Sequence, residues 1–261
     1  MNTVITHFYN EEYMLPWWIN HHKKLFDNGI LIDYNSTDRS YEICKELCPP
    51  HWKIVKSVNR EFNIHSVDTE VKMYESTVEG FKITLTVTEF LLVPNSLYHL
   101  NEYILSKNIE YIRPTGVCMV DVNTDVLPSH DRPLIEQKHH GMINGYYDPI
   151  NKDIDSYNVL YARHYHNQPY GNYLTGRHFV ISNNVFHLYN VYVLKYKYSP
   201  WNKNIIDRLY TYEKKLKDCD DSNSIATEKF HNDVHQHFLT TAHDLNNNDD
   251  FRNAYNYCVS L

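Results

Sequence analysis

The chain has little glycine, 7 residues in 261, and no apolar run near the roughly 20 residues that a membrane-spanning helix needs. A membrane-bound partner would therefore have to be met at the surface. The chain also has no Cys-x-x-Cys pair. Its cysteines, Cys44, Cys48, Cys118, Cys219 and Cys258, are odd in number, and no signal peptide is recognisable. The expectation is a reducing, cytoplasmic setting. Cys44 and Cys48 stand four apart and share a helix face; that spacing admits zinc but fits two buried thiols better. Positive charge is short as well: 25 Lys and Arg against 32 Asp and Glu leave a net charge of -7, with the basic residues scattered. That excludes a general nucleic-acid surface and leaves room for a local basic pocket. There is no internal repeat and no clear domain boundary. Against these absences stand 23 tyrosines, with many Asn, Lys and Ile. The length suits one α/β domain over residues 1–261, with enough chain to bury a sizeable core.

The N-terminal third alternates between two periods. Val4 to Phe8 is a short β-branched run, a buried-strand signal. Met14, Leu15, Trp18, Ile19, His22 and Leu25 recur at helical spacing, and Asn28-Gly29 stops that helix. Ile30 to Ile32 make a second strand. The polar loop Asp33-Tyr34-Asn35-Ser36-Thr37-Asp38 opens another helix, with Ser36 or Thr37 placed to cap it. Lys53 to Val58 contains a third strand, Val67 to Glu75 a helix, and Phe81 to Val87 a strong strand. Such alternation favours a mostly parallel sheet flanked by helices.

The order Asn10-Glu11-Glu12, Trp17-Trp18, His21-His22, then Asp-x-x-Ser-Thr-Asp at 33–38, resembles the family-2-like glycosyltransferases. The match is close over residues 7–38 and looser to about residue 92. It implies a glycosyltransferase A-type, Rossmann-like fold and inverting transfer of a sugar from a nucleotide sugar to a glycan, protein or lipid acceptor. Residues 1–92 are then the nucleotide-binding half and 93–261 the acceptor and catalytic half. By the same resemblance His7, Tyr9 and Asn10 lie where such enzymes hold base and ribose, Glu11 accepts from a ribose hydroxyl, and Arg60 lies near the donor phosphates, with Asp68 and Glu70 beside the pocket. Read from the residues alone, Asn10 turns the chain and Glu11 caps the next helix. Asp33 is either a partner for a uracil imide or ribose hydroxyl, or a plain turn residue. Tyr34 replaces the usual acidic or small residue and offers a ring for base stacking.

One departure stands out. Where the family has Asp-x-Asp, whose carboxylates hold manganese or magnesium against the diphosphate, this chain has Thr86-Val87-Thr88, followed by Glu89-Phe90. A neutral hydroxyl is a poor ligand for a hard cation. Three readings follow: catalysis without metal, with Arg or His neutralising the phosphates; a metal held by Glu89 or Asp121; or a nucleotide-sugar binder that does not turn over.

Leu97 to Lys107 reads as a helix, Tyr111-Ile112 and Val117 to Val122 as short strands, and 123–158 as loops with a hairpin near Gly141 to Tyr146. Val159 to Tyr165 and Phe179 to Ser182 read as strands, Ile205 to Leu216 and Thr227 to Leu239 as helices, and the tail as short. A direct displacement needs a carboxylate to take the acceptor's proton. Asp121 is the candidate, with Asp125, Asp131 and Glu136 in reserve. Arg177 and His178, after Gly176, are placed to meet phosphates, as is Arg163. The clusters Lys138-His139-His140 and Arg163-His164-Tyr165-His166 also admit a histidine-rich metal-dependent hydrolase around residues 139–178. That rival leaves the N-terminal half unexplained. His231 and His235 are a helical i, i+4 pair without an HExxH glutamate.

Overall fold

Side-chain alternation in the first two strands decides which helix covers which face. A computed structural model describes residues 1–59, 63–143, 163–217 and 228–261. In it β1 (Asn2–Phe8) pairs in parallel with β2 (Asn28–Asp33), Ile5 opposite Ile30 and His7 opposite Ile32. Val4, Phe8 and Leu31 face one way, into a core shared with α1 (Leu15–Leu25) and Cys44 of α2 (Ser40–Leu47). Ile5, Ile30 and Ile32 face the other way, onto Val67 and Val71 of α3 (Ile64–Ser76). The period of two is what allows one strand to serve both layers.

β3 (Lys53–Lys56) and β4 (Phe81–Thr84) complete a parallel set in the order β3-β2-β1-β4. The carboxyl ends of all four strands therefore meet at one edge, where open α/β sheets bind ligands. The second half adds to the same sheet. β5 (Glu89–Leu92) is followed by α4 (Leu97–Lys107), β6 (Tyr111–Val120), α5 (Leu134–Gln137), β7 (His140–Ile143), β8 (Tyr165–His166) and β9 (Val185–Tyr198). β6 runs parallel to β9 and antiparallel to β7 and β8; β8 meets β4 through Lys82 and His166; β5 lies antiparallel on β9. The chain ends in α6 (Lys203–Lys217), α7 (Glu228–Thr241), β10 (His243–Asp244), which pairs with β7, and α8 (Asp249–Ser260). The architecture is α/β, a mixed sheet with parallel central strands, flanked by helices and closed by a helical C-terminal segment. No helix among the described residues is long and apolar enough to cross a membrane.

Several elements differ from the sequence reading, each for a local reason. The strand expected over Phe81–Val87 stops at Thr84. A turn at Thr86–Glu89, with the Glu89 N–H on the Thr86 carbonyl at 2.9 Å, sends β5 off to another partner. Tyr111-Ile112 and Val117–Val122 are one strand. β6 runs through Pro114, where its register against β9 shifts, the irregularity a missing N–H imposes. Phe179–Ser182 is not a strand; Tyr173 and Val180 share an isolated bridge. β9 and α8 were not anticipated. Asn248 caps α8, its Oδ1 accepting from the Phe251 N–H at 2.8 Å, so the polar turn read at 246–250 is a helix start. Ser36 and Thr37 do not cap α2; that helix has no side-chain cap bond, and both side chains are used elsewhere. The expected Val159–Tyr165 strand lies mostly outside the described residues, as do Tyr146 and most of the expected hairpin.

β2 and the turn before β3 touch at one point where no side chain fits. A Cβ at Gly29 would lie 2.2 Å from the Trp52 ring. Gly29→Ala is expected to lower the unfolding free energy by about 1–3 kcal/mol, the cost of overpacking. Urea denaturation followed by tryptophan fluorescence measures it; an unchanged midpoint would mean that Trp52 swings aside freely.

Candidate functional site

The two N-terminal motifs are bonded to each other. Asn10 and Asn35 both adopt left-handed backbone, φ 52° and 59°, which Asn tolerates better than most residues. Asn10 N–H donates to Ser36 Oγ at 3.0 Å, and Asn10 Oδ1 accepts from Thr37 N–H at 2.8 Å. Glu11 N–H donates to Ser40 Oγ at 2.7 Å, and Glu12 N–H to Asp38 Oδ2 at 3.1 Å. Asp33 Oδ1 accepts from Ser36 N–H at 2.8 Å. Asn-Glu-Glu and Asp-x-x-Ser-Thr-Asp thus act as one lacing that fixes the loops leaving β1 and β2. Asp33 is buried at the centre of this lacing.

Two clefts of opposite charge open near the end of β1. The first, about 190 Å³, is lined by His7, Asp68, Thr86, Arg163, Gly176, Arg177, His178 and Lys195, with Ile64 and Val67. Arg163 Nε donates to Glu89 Oε2 at 2.8 Å, and Lys195 Nζ lies 3.4 Å from Glu89 Oε1. Arg177 pairs with Asp68, which also accepts from the Gly176 N–H at 2.8 Å. Among the described residues three cations thus face two carboxylates. Glu89, beside Arg163 and Lys195, is held well below the usual carboxylate range, although burial opposes this. Burial, with Glu89 opposing it, brings the Lys195 ammonium down to about 8. Burial and the neighbouring cations hold His178 at about 2 and His7 well below its ordinary value, so both rings are neutral at pH 7. Each accepts from an arginine through Nδ1: His178 from Arg163 at 2.9 Å, His7 from Arg177 at 3.4 Å. A neutral imidazole used that way carries its proton on Nε2, where it is a donor.

Arg177 itself is held under strain. The tip Leu174–Phe179 closes with Arg177 N–H on the Leu174 carbonyl at 3.0 Å, and Arg177 has φ 61°, next to Gly176 at 82°. A non-glycine residue in that region costs on the order of 1–3 kcal/mol and gathers at functional sites. Its Nε is buried and has no hydrogen-bond partner among the described residues.

The second cleft, about 170 Å³, is acidic. Tyr9, Asn10, Glu11, Glu12, Tyr13 and Asp38 line it with Asn204, Asp207, Arg208 and Thr211 of the α6 region. Glu11 is buried there and its carboxylate takes Arg208 Nε at 2.6 and 2.8 Å. Burial raises the Glu11 carboxyl, with Arg208 opposing it.

The predicted residues therefore divide. His7, Arg177 and His178 meet in one cleft; Tyr9, Asn10 and Glu11 line the other. Tyr34 has no ring face for a base: it is packed with Ile5, Ile32, Val67 and Val71 under α3. Glu70 anchors the turn after β3 through Ser57, Val58 and Asn59, while Asp68 lies in the cationic cleft. Arg60 lies outside the described residues. Asp121 lines neither cleft. Its Oδ1 accepts from Lys138 Nζ at 2.7 Å and Asn123 N–H at 3.1 Å, its Oδ2 from Trp201 N–H at 2.8 Å, and it is 2% exposed. A carboxylate so engaged is a fastener for the chain after β6, not an open base. Asp125 and Asp131 are exposed, and Glu136 pairs with Arg132 at 3.5 Å. Lys195 and Arg208 escaped the sequence reading. Lys195 belongs to the unrecognised β9; Arg208 sat in a recognised helix with nothing to mark its partner.

The residues in the Asp-x-Asp position do not fit a divalent cation. Thr86 and Thr88 hydroxyls lie 3.2 Å apart, and the nearby carboxylate, Glu89, also accepts from the Thr86 N–H at 2.8 Å and is already neutralised by two cations. Glu89 and Asp121 are both ion-paired and neither is an open ligand. The histidines expected to form a hydrolase centre separate: His164 lies against Tyr111, His166 against Tyr173 and Glu75, His178 on Arg163. His231 lies near Tyr198, and His235 stacks on Trp201.

No family model and no curated protein matches the chain. Among solved structures it is similar to the mannosyltransferase PcManGT from Pyrobaculum calidifontis, solved with GDP-Man and Mn2+: TM-score 0.44, 10% identity, over 98% of this chain and 73% of that one. It is also similar to glucosyl-3-phosphoglycerate synthase from Mycobacterium tuberculosis, solved with phosphoglyceric acid: TM-score 0.38, 13% identity, over 64% of this chain and 56% of that one. Likenesses this shallow carry no function across.

The Asp121 contacts generate a test. Asp121→Ala strands the Lys138 ammonium, 6% exposed, and is expected to cost about 3–5 kcal/mol of stability, as breaking a buried pair does. Thermal and urea unfolding measure it. A fully stable Asp121→Ala protein would remove the fastener role.

Proposed function

We propose that the protein binds a nucleotide diphosphate sugar at the carboxyl edge of β1, β2 and β4 and transfers the sugar with inversion to a hydroxyl-bearing acceptor. The observation that carries this reading is Arg177: a strained, buried guanidinium whose Nε has no partner among the described residues, aimed with Arg163 and Lys195 into a cleft at that edge. A guanidinium fork suits phosphate oxygens, and an unmet buried donor is costly unless a ligand meets it. The 7–38 resemblance to glycosyltransferases of the A type supports the same assignment.

In this reading the diphosphate leaves into the cationic cleft. Arg177, Arg163 and Lys195, with the Nε2–H groups of His7 and His178, stabilise the charge that develops on it, and no metal takes part. Asp33, 1% exposed and lining neither cleft, acts on the donor through the β2 loop that it fixes. The acceptor is assigned to the acidic cleft, whose Tyr9 follows His7 of the first cleft by two positions. Carboxylates there, Glu12, Asp38 and Asp207, are the candidates for the proton acceptor, while Glu11 is held by Arg208. One observation favours the rival, a binder without turnover: both carboxylates of the cationic cleft are already ion-paired.

Calorimetric titration with UDP and GDP in EDTA is the direct test. Binding is expected to one of them, weakened by about 1.5–3 kcal/mol in Arg177→Ala and by about 1–3 kcal/mol in Asp33→Ala. Equal affinity in both variants would remove the site. Release of nucleotide diphosphate from a panel of donors, unaffected by EDTA, separates the transferase from the binder. Manganese-dependent turnover would show that carboxylates have assembled a metal site after all.

The Lys195 value fixes a pH dependence. The ammonium is charged below about 8, so diphosphate affinity should fall as pH rises through 8, and Lys195→Met should flatten that profile while binding more weakly at pH 7. A wild-type profile flat from pH 7 to 9 would take Lys195 out of the site.

A further inference from the structure

The motif Lys138-His139-His140 takes no part in either cleft, and the fold gives it a partner from far along the chain. β10 lies antiparallel on β7 with Asp244 directly opposite His140, and the Leu245 N–H donates to the His139 carbonyl at 3.1 Å. Directly opposed residues bring their side chains together on one face of the sheet. His139, the residue before β7, stands beside them, its imidazole 4.8 Å from that of His140 at an interplanar angle of 31°. His139 Nε2 lies 3.5 Å from Asp244 Oδ1, and one ligand atom from each of His139, His140 and Asp244 falls within 4.8 Å of the others. All three side chains are half-buried, open enough for an ion to enter.

We propose that His139, His140 and Asp244 form a transition-metal site that takes Zn2+. Two imidazole nitrogens and a carboxylate oxygen are the donor set zinc accepts with three protein ligands and a fourth position left to water. Zinc bonds of about 2.0–2.1 Å put ligand atoms roughly 3.3 Å apart in a tetrahedron. The His139–Asp244 separation of 3.5 Å is close to that spacing, and the His140 ligand atom lies within 4.8 Å of both. The hard-cation alternatives, magnesium and calcium, prefer all-oxygen shells. The ion would tie two-residue β10, and so the start of α8, to the sheet through side chains as well as backbone. It lies apart from the cationic cleft, none of whose lining residues it uses, and does not depend on the transferase reading.

The test uses the full chain without a histidine tag, stripped with chelator and dialysed against Zn2+ or Co2+. Elemental analysis should find one metal per chain, Co2+ should give visible absorbance of a low-coordinate N/O site, and Zn2+ should raise the melting temperature. The double variant His139→Gln with Asp244→Asn should bind at least roughly tenfold more weakly and lose the Co2+ spectrum and the melting shift. His231→Gln, which changes a histidine elsewhere, should bind as the wild type does. Circular dichroism of the metal-free proteins checks that both variants fold; should the double variant not fold, His140→Gln replaces it with the same expected loss. Wild-type protein without stoichiometric metal at 100 μM Zn2+, or variants that keep it, would overturn the proposal.

Discussion

Glu89 is the constraint around which the second half of the sheet is arranged. Its side chain is fully buried, and a carboxylate in that position must be paired or lose its charge. Its partners come from three places. The Thr86 N–H closes the turn after β4; Arg163 arrives just before β8; Lys195 stands opposite Glu89 in the β5–β9 ladder. One anion thus fixes the end of the parallel half, the first described residue after 144–162, and the long strand β9 in a single cluster. The same cluster supplies two of the three cations of the cleft. A structural requirement and a cationic cleft are met by the same atoms.

That arrangement accounts for how Thr86 and Thr88 are tolerated. A pair of aspartates at these positions would add charge beside Glu89 and would need a cation of its own. With two hydroxyls instead, Glu89 meets two cations, Arg163 and Lys195, while Arg177 is paired one-to-one with Asp68. Protein cations are weaker point charges than a divalent ion, but they are already in place and need no loading step. Burial contributes too. By holding His7 and His178 neutral it turns two rings that would otherwise compete for the charged state into acceptors for arginine on one nitrogen and donors on the other.

The parallel half was legible because its signals are local. Apolar runs at 4–8 and 30–32 and a helical stripe from Met14 to Leu25 each name their element without reference to the rest. The second half was harder because its organising contacts are long-range. β9 carries a tyrosine- and valine-rich run that fits a strand, but its role depends on partners 74 to 106 residues earlier in its two ladders, such as Tyr111 with Val185 and Glu89 with Lys195. The motif residues were legible in identity and less so in role. Asn10 stands in the sequence as a nucleotide contact and Ser36 and Thr37 as helix caps, and the structure bonds them to one another. Asp121 looks like an open base after a strand, and Lys138, seventeen positions on, occupies it. Nothing in a single sequence says which carboxylate has already found its cation.

The distribution of charge along the sheet edge then follows from connectivity. The α3 side of β1 receives the tip at 174–179, which brings Arg177, and the Glu89 cluster with its two cations. The other side receives α6, whose Asp207 and Arg208 join the acidic run from Glu11 to Asp38. On the proposed transferase reading the two clefts suit different tasks: an anionic leaving group is stabilised by cations, a group that gives up a proton by a nearby carboxylate. A chain with a net charge of -7 has to concentrate its few cations to create the first environment at all. It does so with residues held by buried carboxylates, so that each added positive charge is anchored, and leaves the excess negative charge to form the second environment a few residues along the same strand.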